Sequence, residues 1–167
     1  ALAIVAAKYL GIVESDIRKR VEAWRPSGNR GYLETFGEQT FYIDCYNANP
    51  SSMADALDAF DRSTPQNIAR FYVLGAMDEL GTTASTHHEA IGRLLKLRPG
   101  DRVAFVGSTE LTEAYASAIS VEQYLHADSV EIIKSTIAQF KGAIFLKGSR
   151  NYSLEKLLPS ANLNLNP

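Results

Sequence analysis

The sequence predicts an α/β fold: a Rossmann-like, mostly parallel sheet with helices on both faces, preceded by two short helices. Three observations carry this. From residue 70 onward, short apolar runs alternate with amphipathic stretches of about 10 to 15 residues, the β-α rhythm that builds a parallel sheet with helices packed on it. The runs at 70–74 and 103–106 are too short for helices and lack polar alternation, as strands buried on both faces do. Length and composition agree, since 167 residues with 46% hydrophobic and 22% charged can enclose one core of ordinary size.

Leu2, Val5, Ala6 and Tyr9 follow helical spacing up to Gly11, and Ser15 is placed to cap a second helix carrying Ile17, Val21 and Trp24 before Pro26. Pro26-Ser27-Gly28 hands over to two strands, 31–36 and 39–45, around a hairpin-like turn at Gly37-Glu38. A helix is expected over 50–62. Pro50 presets its first turn, Met53, Ala56, Leu57 and Phe60 recur at i, i+3, i+4 and i+7, and Asp55, Asp58, Asp61 and Arg62 turn mostly outward. The strand 70–74 ends at Gly75, and a loop spans 77–85. Thr86 and Glu89 have capping-box spacing and open a helix with Ile91, Leu94 and Leu95 on one side, ended by Pro99-Gly100-Asp101. Strand 103–106, helix 109–120, strand 123–127, helix 129–140 and a last strand 143–146 follow. The tail from Ser160, through Asn162-Leu163-Asn164-Leu165-Asn166, has few anchoring residues and is expected to fray.

A net charge of -2 and a pI near 5.9 supply no broad basic field, which argues against a nucleic-acid partner. The single cysteine, Cys45, excludes an intramolecular disulfide framework and accords with a reducing cytoplasm; alternating with Asp44, it reads as packed, not reactive. No apolar segment approaches the roughly 20 residues of a membrane span, and the first ten residues lack a signal-peptide pattern, so a soluble chain is expected. Opening at Ala1 inside a helical pattern, without methionine, reads as a piece of a longer chain.

Parallel strands send their outgoing loops to one edge, so 44–49, 75–81, 107–110 and 147–150 should converge along one rim. In the first loop, Asn47 and Asn49 tolerate left-handed backbone angles and offer amide donors and acceptors. Arg30 can fork onto phosphate oxygens and Asp44 can accept hydrogen bonds from ribose hydroxyls, although residue types alone equally fit a surface ion pair and a self-capping loop. Lys147-Gly148-Ser149-Arg150 offers two cations and a hydroxyl on a glycine-permitted turn, suited to orienting a carboxylate; the bland alternative is two solvated cations and a serine helix cap. The turn Gly107-Ser108-Thr109-Glu110 is equally an anion site or a plain cap. Asp78 and Glu79 could hold a metal or act as acid and base, whereas the adjacent His87 and His88 are poorly arranged to chelate one ion. There is no Gly-x-x-x-x-Gly-Lys-Ser/Thr loop to cradle ATP phosphates.

Three runs in this order, Asp44-Cys45-Tyr46-Asn47-Ala48-Asn49-Pro50, Val73-Leu74-Gly75-Ala76-Met77-Asp78-Glu79-Leu80-Gly81 and Lys147-Gly148-Ser149-Arg150, resemble the C-terminal domain of MurF-type Mur ligases, and the likeness extends over roughly residues 20 to 158. The resemblance implies an ATP-dependent ligase that adds D-alanyl-D-alanine to UDP-N-acetylmuramoyl-tripeptide in peptidoglycan synthesis, through an acyl phosphate. It implies that Arg30 reaches the ATP phosphates on domain closure, that Asp44 contacts the nucleotide's sugar with Asn47 and Asn49 lining the pocket, and that Lys147, Gly148, Ser149 and Arg150 seat the dipeptide. Such ligases keep the phosphate loop, the magnesium ligands and a modified lysine in a central domain and the UDP-sugar site in an N-terminal one. On that basis residues 1–25 are expected to be the last helices of the central ATPase domain and the hinge, and 26–167 the C-terminal domain. ATP and Mg2+ would be bound mainly outside this chain, which alone would be inactive, monomeric and cytoplasmic. Ala76 stands where the family commonly carries Asp, while Met77, Glu79, Leu80 and Gly81 keep the pattern. His88 with Ile91 and Gly92 matches a His-x-x-Ile-Gly pattern and reads as a packed helix start. Alternatives are a related amide ligase, such as a folylpolyglutamate synthase or another Mur ligase, and a non-catalytic binding module of the same fold; Tyr46-Asn47-Ala48-Asn49 favours the MurF branch.

Overall fold

A computed structural model describes residues 2–24, 28–119 and 124–159. Its six strands are β1 (Tyr32–Phe36), β2 (Gln39–Asp44), β3 (Arg70–Gly75), β4 (Arg102–Val106), β5 (Tyr124–Ala127) and β6 (Gly142–Lys147). They form one sheet in the order β1-β2-β6-β3-β4-β5. Only β1 and β2 pair antiparallel, because two residues separate them and Gly37, at φ 57°, supplies the left-handed turn; every other neighbouring pair is parallel. The last strand in sequence, β6, lies between β2 and β3 with Ala143, Ile144, Phe145 and Leu146 all buried, as an unbroken apolar run in the interior of a sheet should be.

Six α-helices accompany the strands: α1 (Leu2–Tyr9), α2 (Glu14–Ala23), α3 (Pro50–Ser63), α4 (Ala84–Gly92), α5 (Thr109–Ala116) and α6 (Val130–Gln139). Strand side chains alternate between the two faces. Phe71, Val73, Ile144 and Leu146 meet Val130, Ile133 and Ile137 of α6 on one face. Tyr72, Leu74 and Phe145 meet Met53, Ala56, Leu57 and Phe60 of α3, with Ile91 of α4 and Tyr115 of α5, on the other. The expected helices on both faces are therefore present, and the predicted inward stripe of α3 is its buried stripe. Among the described residues α1 buries nothing, and α2 buries Ile17.

Several local expectations are corrected. Ser15 lies inside the first turn of α2, which begins after Val13 without a side-chain cap. A 3₁₀ turn, Gly81–Thr83, leads into α4 at Ala84, so Thr86 is a helical residue and the Thr86–Glu89 capping box does not form; Glu89 instead pairs with Arg93. His88 accounts for the earlier start, because its ring bonds both the Ala84 carbonyl (2.7 Å) and the Met77 amide (2.9 Å) and so ties the first turn down. Gly92 ends α4, leaving Leu94 and Leu95 beyond it. Asp61 turns inward, because buried Arg70 needs its charge matched. The Arg70 guanidinium reaches Asp61 at 2.8 Å and Asp101 at 2.6 Å, and the Tyr72 hydroxyl donates to Asp61 at 2.6 Å. Burial pushes the Asp101 carboxyl up, but the Arg70 guanidinium and the Arg98 amide outweigh it and hold the group below its ordinary range. Ala1, Pro26 and Ser27 of the expected turn, Ser120, Gln123 and the tail from Ser160 lie outside the described residues.

Candidate functional site

At the carboxyl edge of the sheet, β2 ends at Asp44 and β6 at Lys147, directly opposite one another in register. The Lys147 ammonium is 1% exposed and cannot stay charged there without partners. It donates to Asp44 Oδ2 at 2.6 Å and to the Asn47 carbonyl at 3.1 Å. Arg30, Asp44, Tyr46, Asn47, Asn49 and Lys147 line one cavity of about 240 Å³. The structure thus brings together the four residues expected on the nucleotide, and adds Lys147, which was expected on the dipeptide.

Side-chain bonds to the backbone hold this loop, and neither Asn47 nor Asn49 uses the left-handed angles that its residue type tolerates. Asn47 Oδ1 accepts the Ala48 N–H at 2.8 Å. Asn49, extended at φ -142°, caps α3: its Oδ1 accepts the Ser52 N–H at 2.9 Å while its own N–H donates to Ser52 Oγ at 3.1 Å, a reciprocal capping box. The left-handed residues lie beside Arg30 instead, at Gly28, Asn29 and Gly31 (φ 65°, 56° and 66°). This run of turn formers before β1 was a legible signal for how Arg30 is presented. Cys45 beneath the loop is buried, and burial pushes its thiol up to about 12, which accords with a packed, unreactive cysteine.

The second half of the rim is a crossing of the β3 and β6 exits. A Cβ on Gly148 would lie 2.5 Å from the Gly75 Cα, so two glycines are needed for the backbones to pass. Beyond the crossing the Ser149 N–H donates to the Ala76 carbonyl at 3.1 Å, the Asp78 N–H donates to Ser149 Oγ at 2.8 Å, and the Asn151 amide donates to the Asp78 carboxylate at 2.8 Å. Ser149 is accordingly a clip between loops and not a helix cap. Asp78 is committed to the same clip and Glu79 is exposed at φ 62°. Among the described residues no cluster of three or more His, Cys, Asp or Glu is placed to hold a metal ion. Ala76 is fully buried against Gly107, so an aspartate there would push its carboxylate into a packed corner.

Arg150 is exposed at the end of this turn, and its guanidinium carbon lies 5.4 Å from the centroid of the Tyr46 ring; that of Arg30 lies 3.8 Å from the same centroid. Tyr46, read in the sequence only as part of a motif, was given no role of its own there. At the 107–110 turn, Ser108 makes no side-chain cap, and Glu110 accepts the Ser85 hydroxyl at 3.3 Å. His88 is fully buried, and burial lowers its pKa below the ordinary histidine value, so it is a neutral packing residue.

The chain has known counterparts in sequence and in fold. Residues 32–150 match the family described as Mur ligase, glutamate ligase domain, and the chain belongs to that family. It is 32% identical, over 95% of its length, to the UDP-N-acetylmuramoyl-tripeptide--D-alanyl-D-alanine ligase of Treponema pallidum (strain Nichols), and 40% identical over 79 residues to the ligase of the same name from Mycobacterium leprae (strain TN). It spans 35% and 15% of those relatives. Among solved structures, MurF from Acinetobacter baumannii superposes with a TM-score of 0.71 at 26% identity, covering 93% of this chain and 34% of that one. MurF ligase from Thermotoga maritima in complex with ADP gives a TM-score of 0.61 at 25% identity, covering 81% and 30%. A folylpolyglutamate synthase from Thermotoga maritima, at 14% identity and a TM-score of 0.63, shares the fold.

Proposed function

We propose that this chain is the C-terminal domain of a MurF-type ligase, which joins D-alanyl-D-alanine to UDP-N-acetylmuramoyl-tripeptide in peptidoglycan synthesis in the cytoplasm. The observation that carries the reading is the single cavity joining Arg30, Asp44, Asn47 and Asn49 at the carboxyl edge of a sheet whose chain is 32% identical to a ligase of that name. Residues 1–25 then belong with the preceding ATPase domain and 26–167 form the C-terminal domain; the exposed α1 supports this division.

The donor set fits a nucleotide: a guanidinium suits phosphate oxygens, and a carboxylate beside two side-chain amides suits sugar hydroxyls. ATP supplies the phosphoryl group that activates the tripeptide carboxylate as an acyl phosphate. The dipeptide amine then attacks the acyl carbon, phosphate leaves and an amide forms. Within this chain Arg30 donates to phosphate oxygens, Asp44 accepts from the ribose, and Asn47 and Asn49 close the pocket. The turn of Gly148, Ser149 and Arg150 faces the dipeptide carboxylate, with Lys147 acting at its base through Asp44. Mg2+ is assigned in this reading to the central domain that the family resemblance implies. Domain closure over this rim excludes water from the acyl phosphate.

Amide-shift titrations of the isotope-labelled chain test the reading. ADP is expected to shift Arg30, Asp44 and Asn47, and D-alanyl-D-alanine, but not L-alanyl-L-alanine, to shift 148–150. ADP shifts confined to other surfaces, or equal responses to both dipeptides, would overturn it. ATP-dependent dipeptide addition by the 167-residue chain alone would overturn the expectation that the chain needs its partner domains.

A further inference from the structure

We infer that Tyr46 is a positioning residue whose ring holds the two rim arginines, Arg30 and Arg150, where a phosphate and a carboxylate would be bound. The inference rests on the proposed function for the identity of those anions, and on geometry for the positioning itself. Both guanidinium carbons lie near one ring centroid, at 3.8 and 5.4 Å. Among the described residues neither has a carboxylate within ion-pair distance, whereas Arg62, Arg70, Arg93 and Arg98 all do. A long side chain without such a partner loses rotamer entropy when it is held still, and two guanidiniums brought close also repel. The electron-rich face of an aromatic ring attracts a cation and offsets both costs.

The backbone that carries the ring is well anchored. Cys45, preceding Tyr46, is buried and the carbonyl of Asn47, following it, accepts Lys147, so the backbone on either side is fixed to β2 and β6. Tyr46 remains 38% exposed, leaving the cations open to solvent and to ligand. One side chain thereby sets the spacing between the two halves of the rim. Because the attraction comes from the ring face, phenylalanine should replace tyrosine here and leucine should not.

The test follows the arginine side-chain Nε–H signals in the labelled chain for wild type, Y46F and Y46L, with the amides of the sheet as the control for folding. In wild type and Y46F the Arg30 signal is expected to be shifted upfield by the ring, and that of Arg150 less so. Both should move to the position of a solvated arginine in Y46L. Titration with inorganic tripolyphosphate is expected to be about 3- to 10-fold weaker in Y46L and unchanged in Y46F. Arginine signals that are the same in Y46L as in wild type would overturn the inference, as would equal tripolyphosphate affinities. Failure of wild type to bind tripolyphosphate would remove the phosphate assignment of Arg30, while the arginine signals would still decide whether Tyr46 positions the side chains.

Discussion

Replacing Gly148 by alanine tests the backbone crossing that shapes the rim. Gly148 is not among the left-handed glycines, so the added methyl meets no intrinsic backbone penalty and its cost is set by space alone. It would lie 2.5 Å from the Gly75 Cα, 2.9 Å from its nitrogen and 3.1 Å from its carbonyl carbon, all main-chain atoms that no rotamer change can move. Relieving that contact requires the β3 and β6 exits to part by roughly 1 Å, since carbon atoms pack at about 3.5 to 4.0 Å. Parting them strains the Ser149–Ala76 and Asp78–Ser149 hydrogen bonds. Overpacking costs about 1 to 3 kcal/mol and each of the two weakened hydrogen bonds about 1, giving a loss of about 3 to 5 kcal/mol. For a chain of this length that corresponds to a fall in Tm of about 6 to 20 °C. The assay is urea unfolding followed by circular dichroism, with G37A as the comparison. Gly37 has nothing within 4 Å of its added Cβ but sits at φ +57°, so alanine there should cost only the backbone penalty of about 1 to 2 kcal/mol. A G148A protein within about 0.5 kcal/mol of wild type, at an unchanged m-value, would refute the argument.

Two further perturbations address buried charge. Lys147→Met strips Asp44 of its ammonium partner, and because Asp44 keeps 20% exposure the expected loss is about 2 to 3 kcal/mol, below the range for a fully buried pair. The double variant D44N/K147M should lose less than the two single changes combined, and strict additivity in the unfolding free energies would show that the pair is not coupled. His88 predicts a pH dependence: burial lowers its folded pKa, so its stabilising contribution is fully present above the unfolded value of about 6.5 and is lost as pH falls toward the folded value. The urea midpoint should therefore drop on acidification below pH 6.5 more steeply in wild type than in H88Q, and parallel profiles would rule out this linkage.

The α3 stripe of Met53, Ala56, Leu57 and Phe60, the buried runs of β3 and β4, the Gly37 hairpin and the gathering of motifs at one edge were all legible in the sequence. Each depends on residues close together along the chain, where side-chain periodicity reports directly which face is buried. Helix starts were less legible, because Ser15 and Thr86 carry capping chemistry while the first turn of α4 is tied down by His88 bonding Met77 and Ala84. The motifs nominated residues of the rim and left their partners open. Lys147 and Asp44 are far apart in sequence, and only the insertion of β6 beside β2 places them in register; the same insertion buries Lys147, which was expected on the dipeptide. Asp61 is drawn inward by the buried charge of Arg70, and the Arg30 and Arg150 guanidiniums both lie near the Tyr46 ring; these contacts too join segments apart in sequence. Periodicity in this chain determined which residues are buried and which strands and helices exist; strand order, charge pairing and the Gly75–Gly148 crossing were decided by tertiary structure, because they depend on which distant segments the burial of the whole core brings together.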